Sequence, residues 1–135
     1  MSADYPVIAF AVATKEGPKV RNADPSAIEI MYAGSRPKLV LTEEKRRLVT
    51  PPQDIVDAMR KAARPLVEVR VKGWRKYNAV WVNPTAVTRI KRTFFGFGSE
   101  ALLQTYSGHK IRVREPASEL KERIRAAVNL IPKLS

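Results

Sequence analysis

The sequence predicts an α+β fold of two tandem strand-rich units, each with about four to five short antiparallel strands closed by one C-terminal helix. Three observations predict it: an internal repeat, short apolar runs with period-two alternation, and two amphipathic helices at matching places. The segment Asp24-Pro25-Ser26-Ala27-Ile28 returns as Asn83-Pro84-Thr85-Ala86-Val87, an offset of 59. Pro51 to Ala62 returns as Pro116 to Ala127, an offset of 65. The difference falls between the two matches, where the second copy carries the extra stretch Phe94-Phe95-Gly96-Phe97-Gly98. Loops at hairpin tips tolerate such insertions. The copies, residues 1–63 and 64–135, are expected to pack about a pseudo-twofold axis, because units of this size are marginal alone.

Within each copy the elements read in the same order. An apolar strand comes first, Val7 to Ala13 or Leu66 to Val71. A second strand enters the Asp/Asn-Pro step, where proline drives the preceding residue to extended geometry. A third strand (Ile28 to Tyr32; Val87 to Thr93) and a fourth (Leu39 to Leu41; Ala101 to Tyr106) make a hairpin. After a polar turn, Glu43-Glu44 or Ser107-Gly108-His109, a fifth runs through Leu48-Val49 or Ile111 to Arg114. The first helix is expected to start with Thr50 as N-cap and to bury Ile55, Met59 and Ala62. The second has Leu120, Ile124, Ala127 and Ile131 on one stripe. Asp57 with Lys61 and Glu119 with Arg123 have the spacing of helix-face ion pairs. The run Ile8-Ala9-Phe10-Ala11-Val12 is apolar at every position, which predicts burial on both faces, against the second copy or a partner chain.

Charge separates the two copies. The chain of 135 residues has 25 basic and 13 acidic residues, a net charge of +12. Residues 1–63 hold ten basic and eight acidic residues; residues 64–135 hold fifteen and five, so the second copy has +10 of the total. A field of that sign favours polyanions, nucleic acid before an anionic membrane or an acidic protein. Residues 1–63 therefore read as a near-neutral scaffold or interface, and 64–135 as the nucleic-acid-binding copy. Alternation then gives the charged face. Arg70 and Lys72 oppose the valines of their strand, Arg89 and Lys91 oppose Ile90, and Lys110, Arg112 and Arg114 oppose Ile111 and Val113. With Arg92, and with Arg75 and Lys76 at a neighbouring turn, they make a grid suited to phosphates. Trp74, beside Gly73, is a candidate for stacking on a base, and Trp81 reads as core. Phe94, Phe95 and Phe97 stand for stacking on a ligand or docking onto protein, because a tip that apolar should not face water.

Enzymatic chemistry has no footing here. No phosphate-binding glycine loop, nucleophile elbow or cluster of metal ligands is present, and there is no cysteine. The expectation is no catalytic residue, no metal and no cofactor. His109 reads as a solvated turn residue. No apolar run reaches the length of a membrane span, and the absence of cysteine fits a reducing, cytoplasmic setting.

From Val82-Asn83-Pro84, with Val87 and Ile90 after it, through Leu102-Leu103, Ser107-Gly108, Ile111-Arg112-Val113-Arg114-Glu115 and Glu119-Leu120 with Arg123-Ile124, the second copy resembles the small FlbD-type flagellar and swarming-motility regulators. More distantly it resembles LytTR-type DNA-binding domains. The resemblance spans roughly Val67 to Val128 and implies a strand-rich unit with one helix and a regulatory or nucleic-acid role. The first copy departs from it at Glu43-Glu44, where the turn glycine is missing. Together these readings give a non-enzymatic nucleic-acid-binding regulator or accessory factor, with DNA or RNA as partner. The alternative is a structural or adaptor subunit of a larger nucleoprotein or virion complex, with the Phe loop as a protein interface. A protein partner or a homo-oligomer fits either.

Overall fold

In the computed structural model, which describes residues 7–71, 77–93 and 100–130, the first half forms β1 (Ile8–Thr14), β2 (Gly17–Ala23), a 3₁₀ turn (Pro25–Ala27), β3 (Ile28–Gly34), β4 (Lys38–Leu41), β5 (Lys45–Arg47) and α1 (Pro52–Lys61). The second half forms β6 (Val67–Val69), β7 (Tyr77–Val82), a 3₁₀ turn (Pro84–Ala86), β8 (Val87–Arg92), β9 (Ala101–Thr105), β10 (Lys110–Val113) and α2 (Ala117–Asn129). The two lists have the same order. The same proline turn is capped by Asp24 in one half and by Asn83 in the other, through Ser26 N and Thr85 N respectively. A bulge between Ile28 and Ile30 in the β3–β4 pair recurs between Val87 and Arg89 in β8–β9. The isolated bridge Val12–Leu48 has its counterpart in Val71–Val113, at the offsets of 59 and 65 already present in the sequence.

The strands are shared out unevenly among three antiparallel sheets. β1 and β2 form a hairpin sheet, β10-β9-β8 a three-stranded sheet, and β5-β4-β3-β7-β6 a five-stranded one that takes strands from both halves. The joint between halves is β3–β7, with Ile30 opposite Val82, Met31 opposite Trp81 and Tyr32 opposite Val80. The bulge between Ile28 and Ile30 breaks the alternation of side chains along β3, so the strand feeds two cores. Ile28 and Met31 meet Ile8, Phe10 and Val12 of β1 and Ile55, Val56 and Met59 of α1. Ile30 and Val40 meet Val80 and Val82, Leu103 of β9, Ile111 and Val113 of β10, and Leu120 and Ile124 of α2. The five-stranded sheet is thus covered on both faces, and the three-stranded sheet is covered on one.

Several local expectations are corrected. β1 buries Ile8, Phe10 and Val12 but leaves Ala9 exposed; the strand buried on both faces is β3, at the centre of the large sheet. The fifth strand of the first half is Lys45–Arg47, and Leu48 leaves it to bridge Val12. Thr50 does not cap α1: its hydroxyl accepts from the amide of Ala11 at 2.7 Å, and Pro51 holds the N-cap position. Asp57 pairs with Arg60 rather than Lys61, and Arg123 with Glu115 rather than Glu119. Trp81 is half-buried against the first core. The pseudo-twofold arrangement is also not what the sheets show. A twofold axis that pairs β3 with β7 would pair β8 with β2, yet those strands lie in different sheets.

Asn83 pins the joint. It is fully buried, and its side-chain amide donates to the carbonyls of Pro25 (3.1 Å) and Ile28 (2.8 Å) in the other half, while its own amide donates to Glu29 O. Asn83→Ala would take its side-chain donor from the Ile28 carbonyl, leave Pro25 O with only the Ile28 amide, and remove a turn cap, so it should cost about 2–4 kcal/mol in urea unfolding. Asp24→Ala, at the exposed counterpart, should cost about 1 kcal/mol. Equal losses at the two positions would contradict this account of the joint.

Candidate nucleic-acid interface

The three-stranded sheet turns Ala101, Leu103, Ile111 and Val113 inward, so the intervening residues must face out. Register brings them side by side. Lys91, Leu102 and Arg112 are opposite one another across β8, β9 and β10, as are Arg89, Gln104 and Lys110. The Val71–Val113 bridge and the 2.7 Å hydrogen bond from Arg114 N to Arg70 O then place Arg70 beside Arg114 at the sheet's other edge. Arg70, Arg89, Lys91, Arg92, Lys110, Arg112 and Arg114 are all exposed. Strands are about 4.8 Å apart and same-face neighbours along a strand about 7 Å, so the cations lie within phosphate-like distances of each other.

None of these seven has an ion-pair partner among the described residues. The first half differs: Lys19 meets Glu16, Arg21 and Arg46 share Glu44, and Arg60 meets Asp57. The ion pairs of the second half, Arg123–Glu115 and Arg125–Glu122, engage arginines of α2 and leave these seven cations out. Lys72, Trp74, Arg75, Lys76, Phe94, Phe95 and Phe97, named from the sequence as binding, stacking or interface residues, lie outside the described residues. Among the described residues no cluster of three or more His, Asp or Glu has the arrangement of a metal site, and no helix is long and apolar enough to cross a membrane.

The turn between β9 and β10 holds what sequence reasoning missed. Glu29 of β3 is fully buried, and its Oε1 accepts from Thr105 Oγ1 (2.6 Å), Ser107 Oγ (2.7 Å) and Ser107 N (3.3 Å). Its Oε2 is buried with no hydrogen-bond partner among the described residues. The sequence hides it, because Glu29 between Ile28 and Ile30 has the alternation of an outward-facing strand residue. Gly108 takes a positive φ of 86° to close the turn. His109, expected to be solvated, is instead half-buried, with Nε2 2.7 Å from the Tyr32 hydroxyl and the two rings edge to face. A carboxylate and a phenol from the first half thus fasten the turn that leads into Lys110 and Arg112.

Burial, reinforced by the nearby Lys45 cation and opposed by Glu29, holds the His109 pKa below its ordinary value. The unfolded chain takes up that proton below about pH 6.5 while the folded chain resists it. Stability from this group is therefore complete above that pH and falls as the solution is acidified towards the folded-state pKa. His109→Gln, which keeps a partner for Tyr32, should flatten the pH dependence of the urea midpoint in that window. An unchanged slope would show that His109 is not its source.

No protein-family model matches the chain, and no curated protein matches it. Among solved structures it is similar to the LytTR DNA-binding domain of a methyl-accepting/DNA response regulator from Bacillus cereus, with 14% identity and a TM-score of 0.57. The match covers 87% of this chain and 95% of that one. Over the 87% of the chain that the match covers the fold is LytTR-like, more than the second half alone, and the likeness found does not extend to the FlbD-type regulators.

Proposed function

We propose that this chain is a non-enzymatic DNA-binding protein of the regulator or accessory type, with the outward face of β8, β9 and β10 as its nucleic-acid surface. The observation that carries this reading is the outward cationic face of Arg70, Arg89, Lys91, Lys110, Arg112 and Arg114, with Arg92 exposed opposite Ala101 at the end of β8, none of them with a carboxylate partner among the described residues. Leaving so many cations unpaired on one face costs self-repulsion, which a bound polyanion relieves. The LytTR-like fold supports DNA as the polyanion, since the similar domain is named for binding it. Arg70, Arg89, Lys91, Arg92, Lys110, Arg112 and Arg114 hold phosphates in this reading. Lys72, Arg75 and Lys76 extend the charged edge, and Trp74 with Phe94, Phe95 and Phe97 contributes stacking or a wedge between base steps. Residues 1–63 act as scaffold: Glu29, Tyr32 and the β3 strand fix the position of the basic sheet. The matching element order, bulges and bridges of the two halves further support their origin as copies of one unit, only one of which carries the charge.

Phosphate contacts displace counterions, so affinity for a short duplex should fall linearly on a log-log plot against salt. Arg112→Ala and Arg114→Ala should each weaken binding at all sequences and reduce that slope by about one unit. Fluorescence anisotropy at rising salt measures both. Failure of the purified chain to bind duplex or single strands at low salt would overturn the proposal.

A further inference from the structure

The two small sheets are the two parts of a large one. The five-stranded sheet has the order β5-β4-β3-β7-β6, a three-strand meander from one half joined to a two-strand hairpin from the other. The repeat makes β10-β9-β8 the counterpart of β5-β4-β3, and β2-β1 the counterpart of β7-β6. The meander of the second half thus lacks its hairpin, and the hairpin of the first half lacks its meander. Among the described residues, neither β8 nor β2 has a second strand neighbour. Each offers an open edge of backbone donors and acceptors, which invites pairing with another chain.

We propose that copies of this chain associate head to tail, the β8 edge of one copy pairing antiparallel with the β2 edge of the next. The resulting sheet has the order β10-β9-β8-β2-β1 across two molecules and repeats the internal joint. The inference rests on reading the halves as copies of one unit. It fixes a register, because the internal pairs shift by 59. Ile30–Val82 becomes Arg89 opposite Ala23 of the next copy. Met31–Trp81 becomes Ile90 opposite Asn22, and Tyr32–Val80 becomes Lys91 opposite Arg21.

Exposure supports a second copy as the occupant. Leu66 is 7% exposed in the first core, whereas its counterpart Val7 is 57% exposed. Val20, on the β2 strand that would form the joint, is 72% exposed as well. An interface of this kind is heterologous, and such interfaces build open chains unless the rotation closes a ring.

Two features make the intermolecular joint weaker than the internal one, and they supply the test. Asp24 stands where the internal joint has Asn83. A carboxylate cannot donate as the Asn83 amide does to Pro25 O and Ile28 O, so the counterpart carbonyls of Pro84 and Val87 gain no side-chain donor across the joint, Pro84 O keeping only the Val87 amide. Lys91 would face Arg21, a like-charge pair. Asp24→Asn keeps an acceptor for Ser26 N and adds the missing donor. It should lower the concentration for half-association by about tenfold in sedimentation equilibrium, and Lys91→Glu should do the same. Adding Val7→Glu, at an exposed position outside the core, should return the Asp24→Asn chain to monomer. Monomeric mass for the Asp24→Asn and Lys91→Glu chains at every concentration would overturn the joint, as would association that Val7→Glu leaves unchanged. The measurement contains no nucleic acid, so its outcome is independent of the salt titration that decides the binding surface.

Discussion

Everything else in the molecule hangs from the pairing of β3 with β7. That contact merges strands from both halves into one sheet and buries both of its faces, so neither half retains a complete core without the other. Asn83 and Glu29 reinforce it from opposite directions. Asn83 sends two donors back into the first half, and Glu29 sends a carboxylate forward into the β9–β10 turn. Both are fully buried polar groups, and a buried polar group is tolerated only when it is bonded. Their partners are therefore specified closely, and with them the position of the three-stranded sheet.

That position explains the distribution of charge. The inner face of β8, β9 and β10 is committed to the second core, and α2 covers the same side. Cations in these strands have only the outer face to occupy. The first half cannot present such a face from its own β3 and β4, because both sides of those strands are buried. Seven of its ten cations fall on β2, β5 and α1, with Lys38 at the start of β4 and Lys15 and Arg36 in turns, and Glu16, Glu44 and Asp57 neutralise several of the seven. The halves share an order of elements, yet the meander of the first half lies inside the stack and that of the second half presents the charged outer face.

Sequence made the element order, the helical stripes at Ile55, Met59, Leu120 and Ile124, and the exposure of Lys110, Arg112 and Arg114 legible, because these depend on local periodicity, while Ile131 of the second stripe lies outside the described residues. Lys110, Arg112 and Arg114 alternate with Ile111 and Val113 whatever sheet they join. The partition of strands among sheets was not legible. Nothing in Ile28 to Tyr32 says that its partner is β7 of the other half, and a long-range pairing leaves no periodic trace. Thr50 reads as a cap until Ala11, 39 residues away, supplies a competing donor. His109 reads as solvated until Tyr32 reaches it from 77 residues away. The apolar Ile8-Ala9-Phe10 run suggested two buried faces because alanine is neutral evidence; the structure uses only the large residues. Glu29 reads as an outward residue of an alternating strand, because its three donors come from a turn that only the fold brings near.

Native-state hydrogen exchange tests the shared sheet most directly. The amides of β3 and β7 at the joint should open only in the global unfolding reaction, with one free energy and one denaturant dependence for both halves. Slow amides of β1–β5 and of β6–β10 that separate into two classes, each with its own stability, would contradict the account. They would show two bodies in contact where the present structure has one body built around a common sheet.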